Sequence, residues 1–202
     1  MTQEHQEILE KVKTLYLRYG IKSVTMDDVS RELGMSKKTL YQYFDDKQKL
    51  VAGITHMEMD RAKKMVMDIF EQGLDAISEM FQLHRFLDQM AKAHSHVCEY
   101  DLKKYYPALF QEIINMKRDM LYRLWKTNIE KGKSESLYRA EVNTEIIAKT
   151  NLLRFESSMD TCIFTDAEMA SLDFFNEIFV YHVRGIATAK GIKRLEALLA
   201  EA

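Results

Sequence analysis

The chain has 202 residues and a formal net charge of −2, enough for one large or two small domains around a sizeable buried core. Seven Gly and one Pro fall short of the roughly 12% these residues supply in globular proteins, and of the regular turns a sandwich or barrel needs. The near-neutral balance excludes a histone-like binder but leaves room for a local basic patch. Thirteen Met, ten Phe and ten Tyr suit a helical protein with a large apolar interior, so the fold class is read as all-α. The two cysteines, Cys98 and Cys162, have no C-x-x-C spacing, which supports neither a disulfide framework nor a zinc ribbon. The opening segment MTQEHQEILEKVK lacks the apolar stretch of a signal peptide, and the longest uncharged run is too short for a bilayer. A cytoplasmic protein without a membrane segment is expected.

The first helix is predicted from about Thr2 to Tyr19. Its stripe is Ile8, Leu9, Val12, Leu15, Tyr16 and Tyr19, and Gly20 sits where a terminating glycine belongs. Thr25 then caps a short helix with Asp27 and Asp28 in its first turn, and Gly34 stops it. Ser36 caps a third helix, Lys37 to Phe44, which turns Leu40 and Phe44 inward. Asp45 and Asp46 break it before a long helix from Lys47 toward Phe70. Helices follow over 74–91, 95–104 and 107–131, with Pro107 at a first helical position. Gly132–Ser136 reads as a loop. The chain closes with helices over 141–162 and 166–189 and a short helix after Gly191, nine or ten in all.

Thr25 to Leu50 carries the functional signal. Two short helices joined by a tight turn containing Gly are the helix-turn-helix pattern. The outer face of the second carries Lys37, Lys38, Thr39, Tyr41, Gln42 and Tyr43, with no carboxylate. Each of these groups can donate to a phosphate or a base edge. The alternative is a solvated face with its tyrosines tucked against a neighbouring helix.

This segment resembles the DNA-binding domain of the TetR family of bacterial transcriptional regulators. The match rests on Thr25, Gly34, Ser36-Lys37-Lys38-Thr39-Leu40-Tyr41-Gln42-Tyr43-Phe44 and Lys47. Departures are Leu33, where the family often has Ala, and Lys38, where Gly is frequent. The resemblance implies a three-helix DNA-binding domain over residues 1–46 and a larger helical effector-binding and dimerisation domain over 47–202. It places the third helix in the major groove. Lys37, Lys38, Thr39, Tyr41 and Gln42 then approach bases or nearby phosphates, while Thr25, Tyr43 and Lys47 clamp phosphates on either side. A side-chain amide pairs with adenine N6 and N7, which assigns Gln42 to adenine.

Between Met169 and Ala189 the charged residues are Asp173, Glu177 and Arg184, confined to an arc of about 40° at roughly 100° per residue. A helix apolar around most of its circumference must be buried on two sides. Either it is the core helix of a monomer or it forms the seam of a two-fold dimer, the commonest oligomer. The seam is the reading adopted, and the family implies it too. Its residues would be Leu172, Phe175, Phe179, His182 and Ile186, facing Ile146, Thr150 and Leu153 from the preceding helix.

The middle of the chain is rich in Met, aromatic and His residues at helical spacing. Taken singly, ordinary core packing explains each. As a set, Phe81, His84, Met90, His94, Tyr105, Phe110 and Trp125 would suit a mostly apolar cavity with a few polar anchors. The family implies a small effector that releases DNA, here an apolar or aromatic one. His94 and Cys98 at i, i+4 do not make a metal site, and no nucleophile elbow, Walker loop or dinucleotide glycine pattern occurs. No cofactor and no enzymatic activity are expected. The expectation is a ligand-responsive homodimeric repressor on a palindromic operator. The alternative is a helical adaptor whose helix-turn-helix no longer contacts DNA.

Overall fold

Apolar residues spaced at three and four along the first helix pull it onto the short helices that follow. In the computed structural model, which describes residues 2–92, 95–157, 164–165, 168 and 171–201, α1 (Gln3–Tyr19) is capped by the Thr2 hydroxyl. Its Ile8, Leu9, Val12 and Tyr16 are buried. Tyr19, expected on that stripe, is 51% exposed at the end of the helix, with the Arg18 guanidinium 5.0 Å from its ring centroid. Next come α2 (Met26–Glu32), α3 (Lys37–Tyr43) and α4 (Lys47–Phe70). Val29, Leu40, Phe44 and Leu50 from these helices close one core with α1.

Further along lie α5 (Ala76–Lys92), α6 (His96–Tyr105), α7 (Pro107–Ser134), α8 (Thr144–Ser157), α9 (Leu172–Ile186) and α10 (Ala189–Glu201). Among the described residues the architecture is all-helical, with a single isolated bridge, Tyr138 to Ala187, in place of strands. None of these helices is long and apolar enough to cross a membrane.

Two compact units divide the chain. One holds Met1–Lys64 and His94–Asn115, the other Met65–Ala93 and Met116–Ala202. In the first, α6 is tied to the end of α1 and the turn after it. The Lys22 backbone N–H donates to Asp101 Oδ2 at 2.8 Å, and Cys98 Sγ approaches the Tyr16 carbonyl at 3.2 Å. Burial pushes the Tyr16 phenol well above its ordinary range, and its hydroxyl finds no partner among the described residues.

In the second unit a polar network fixes the start of α5. Asp75 accepts from the backbone N–H of Ile77 and Ser78 and from Arg194 Nε at 2.8 Å. Burial alone would raise the Asp75 carboxyl, but the Ser78 and Arg194 bonds outweigh it and hold the group below the usual carboxylate range. Glu79, 2% exposed, accepts from Lys131 Nζ at 2.5 Å and Asn128 Nδ2 at 3.2 Å. Tyr138 donates to Asn128 Oδ1 at 3.2 Å. A buried carboxylate is tolerable only when its lone pairs are met in this way.

The loop expected from Gly132 begins later, since α7 runs on to Ser134. Gly132 is there for space: a Cβ at that position would overlap the Tyr138 ring. Gly→Ala inside a helix ordinarily gains roughly 0.5–1 kcal/mol. Here overpacking should reverse the sign, and Gly132→Ala should lose about 1–3 kcal/mol in a denaturant titration. A stabilised variant would mean that the ring moves aside freely.

Candidate nucleic-acid interface

The helix-turn-helix is assembled by short-range bonds. Thr25 and Asp28 form a reciprocal capping box: Asp28 N–H donates to Thr25 Oγ1 at 3.2 Å, and Asp28 Oδ2 accepts from the Thr25 N–H at 2.9 Å and hydroxyl at 2.6 Å. These bonds, the hydroxyl's first, hold the Asp28 carboxyl below its ordinary value. At the other end of α2, Met35 N–H bonds to the Ser30 carbonyl and Gly34 N–H to that of Arg31. This Schellman closure needs a left-handed residue, and Gly34 supplies it with φ +64. Ser36 then caps α3 by accepting from Thr39 N–H at 3.1 Å.

Burial of Leu40 and Phe44 fixes the rotation of α3. Lys37, Lys38, Tyr41 and Gln42 are exposed, with Tyr41 at 46%. Thr39 is half-buried, its hydroxyl 2.8 Å from that of Ser36. Tyr43 is half-buried toward α1, where Glu4 raises its phenol above the ordinary range and the His5 ring lies 6.2 Å away. Lys47, at the start of α4, donates to the Lys22 carbonyl at 3.3 Å. Burial, and then the neighbouring Lys22, lower its ammonium below the usual lysine range. Thr25 is exposed, but its hydroxyl and N–H both donate to Asp28. Lys37 is not free on this face, because its Nζ lies 2.5 Å from Asp27 Oδ2. A carboxylate from α2 therefore stands beside a helix face that carries none of its own.

The family model "Bacterial regulatory proteins, tetR family" matches residues 8–54, the stretch from mid-α1 through the start of α4. Residues 8–54 thus carry the DNA-binding domain of the TetR family. The HTH-type transcriptional regulator YvaF of Bacillus subtilis is 32% identical over 85 residues, 42% of this chain and 45% of YvaF, so the match spans less than half of that relative. The HTH-type transcriptional repressor KstR2 of Rhodococcus jostii is 24% identical over 143 residues, 69% of this chain and 70% of KstR2. A TetR transcription regulator from Haloarcula marismortui superposes with a TM-score of 0.76 at 15% identity, covering 93% of this chain and 100% of that one. The likeness extends the TetR-family fold over the larger C-terminal part.

The residues expected in its effector cavity are only partly brought together. Phe81 and His84 converge on Phe179, with ring centroids 5.4 and 5.1 Å away. Trp125 packs edge-on against Phe155 at 6.3 Å. Met90, at 46% exposure, lies at the surface rather than in an interior. Tyr105 is exposed beside Lys22, whose Nζ is 4.6 Å from its ring, and Phe110 is half-buried. Tyr105 and Phe110 belong to the first compact unit, Phe81, His84, Met90 and Trp125 to the second. His94 lies outside the described residues. A cleft of about 250 Å³ in the second unit is lined by Leu74, Ser78, Phe81 and Arg194 among others, and of the expected residues that are described only Phe81 reaches it. Among the described residues no group of three His, Cys, Asp or Glu side chains could hold a metal ion.

The expected seam divides as well. Phe179, His182 and Ile186 are 2%, 9% and 3% exposed. They face the protomer's own core, where α9 packs on α5. The outward stripe consists of Ile146, 60% exposed, Thr150 and Leu153, 64% exposed, with Tyr181 of α9 at 79%. The side chains of Leu172 and Phe175 lie outside the described residues.

Proposed function

We propose that this regulator is a homodimeric, effector-responsive repressor that docks α3 in the major groove of a palindromic operator. The observation that carries this reading is the rotation of α3: burial of Leu40 and Phe44 leaves Lys38, Tyr41 and Gln42 outward, with Lys47 close by at the head of α4. Repression is supported by the likeness to KstR2, described as a transcriptional repressor. A dimer is supported by the apolar stripe of α8, on which Ile146 and Leu153 are exposed. Two-fold symmetry would set the α3 helices of two copies in successive major grooves, about 34–36 Å apart. Selection of bound sequences from random duplex DNA should therefore return inverted half-sites about one helical turn apart. Sites without inverted symmetry would count against both dimer and docking.

Division of labour on this face gives a sharper test. Lys47→Ala should weaken binding to every duplex and make the salt dependence shallower by about one unit, as a lost phosphate contact does. Gln42→Ala should instead relax one base position, at about 1–3 kcal/mol on the best site. Indistinguishable effects on specificity would mean that the orientation of α3 is wrong.

Response to an effector follows from linkage. A ligand that releases DNA must bind the DNA-free form more tightly, and DNA must weaken that ligand by the same factor. Since α4 runs unbroken from Lys47 to Phe70, it is the element we assign to carrying the change toward α3.

A further inference from the structure

Two aspartates stand side by side at the start of α2, and local structure accounts for only one. Asp28 completes the capping box with Thr25. The Asp27 side chain takes no part in it; its Oδ2 reaches α3 and lies 2.5 Å from Lys37 Nζ. The two side chains are 51% and 57% exposed, and an exposed pair of this kind adds little to stability. Its position is what matters. Lys37 is the first residue of α3, on the outward face assigned above to the major groove, so the Asp27 carboxylate stands on the surface presented to DNA.

A carboxylate there meets two kinds of group. Phosphates repel it, whereas the amino group of cytosine N4 is a donor that Asp accepts from in the major groove. Lys37 beside it is a donor suited to guanine O6 and N7. A G·C pair sets guanine O6 next to cytosine N4 on one edge, so an ammonium and a carboxylate held 2.5 Å apart match acceptor and donor in turn. The pair also removes the net charge of Lys37, which lowers attraction to DNA of any sequence.

We propose that Asp27, paired with Lys37, is a specificity-determining residue on α2: it accepts from cytosine in the cognate site and penalises DNA that offers only phosphate. This rests on the reading that α3 docks in the major groove. Without the carboxylate, Lys37 is free to neutralise one more phosphate, and each such contact steepens the salt dependence by about 0.9.

The test is a salt titration of binding to a random-sequence duplex, together with selection of preferred sites, for wild type, Asp27→Ala, Asp27→Asn and Lys38→Ala. Both Asp27 variants should bind the random duplex roughly three- to tenfold more tightly at 0.1 M salt, with a slope steeper by about one unit. The motif selected by Asp27→Ala should lose the requirement for one G·C pair in each half-site and keep the rest. Unchanged or weaker random binding, or an unchanged motif, would overturn the proposal. Lys38→Ala separates the two levels, because it should weaken random binding on the docking reading alone. If Lys38→Ala weakens binding while both Asp27 variants are silent, the role of Asp27 falls and the docking stands. If wild type binds no duplex, or Lys38→Ala is also silent, the docking of α3 falls and takes this proposal with it.

Discussion

The unfolding free energy of wild type should decline by about 1.4 kcal/mol per pH unit between pH 6.5 and roughly 4.5, and His182→Gln should remove that slope. His182 is 9% exposed, and its Nε2 lies 3.2 Å from Asn151 Nδ2. Since the amide nitrogen can only donate, Nε2 accepts and the ring is neutral. Burial, then the Arg154 guanidinium, then His84 lower its pKa to about 3. In the unfolded chain the same imidazole titrates near 6.5. Between those values the unfolded state binds the extra proton, so stability is fully present above pH 6.5 and is lost as pH falls toward 3. Over two pH units the loss is about 2–3 kcal/mol, a large part of the 5–15 kcal/mol typical of a folded domain. Asp75 acts in a separate window. Its lowered pKa contributes stability above about pH 4, lost on further acidification. Urea titrations at half-unit pH intervals for wild type and His182→Gln would resolve the two, and parallel curves above pH 4.5 would remove His182 as the cause.

What the sequence makes legible is what lies within a few residues along the chain. The capping box of Thr25 and Asp28, the closure at Gly34 and the Ser36 cap each span three or four positions. Together with the inward turn of Leu40 and Phe44, they allow the helix-turn-helix to be read directly. The Asp27–Lys37 pair spans ten positions and exists only because the turn folds α2 against α3, so counting charges on α3 alone misses it. Gly132 illustrates the opposite failure. Composition marks it as a break, but the helix continues because the missing Cβ makes room for Tyr138, a constraint with no local signature. Apolarity around α9 establishes that it is buried on two sides without saying by what. Phe179 turned out to face Phe81 and His84 of its own chain, and the uncovered stripe belongs to α8. Periodicity placed Met90 on an apolar stripe, yet near the end of α5 that stripe runs out into solvent.

Leu153→Asp should divide the proposed dimer without unfolding the protomer, and should lower operator affinity by a factor of about 10² to 10⁴. The protomer tolerates the change because Leu153 is already 64% exposed, as are Ile146 at 60% and Tyr181 at 79%. With Thr150 between them, Ile146 and Leu153 follow the i, i+4, i+7 spacing of one helix face, while Ala148 and Asn151 on the opposite side are buried. In a two-fold pair this stripe meets its symmetry mate, so each carboxylate would be carried into an apolar seam, a cost that Lys149, four residues earlier on α8 and already beside Glu145, offsets only in part. Affinity then falls because two half-site contacts made by one particle become two independent ones, and the effective concentration of the second is lost. Phe179→Glu makes the contrast: its carboxylate would enter the protomer's own core, and the expected outcome is an unfolded chain rather than a monomer. Sedimentation and circular dichroism of the two variants, followed by operator titration of the folded one, check both expectations. A Leu153→Asp protein that remains a tight dimer with undiminished operator affinity would place the seam on a face other than that of α8.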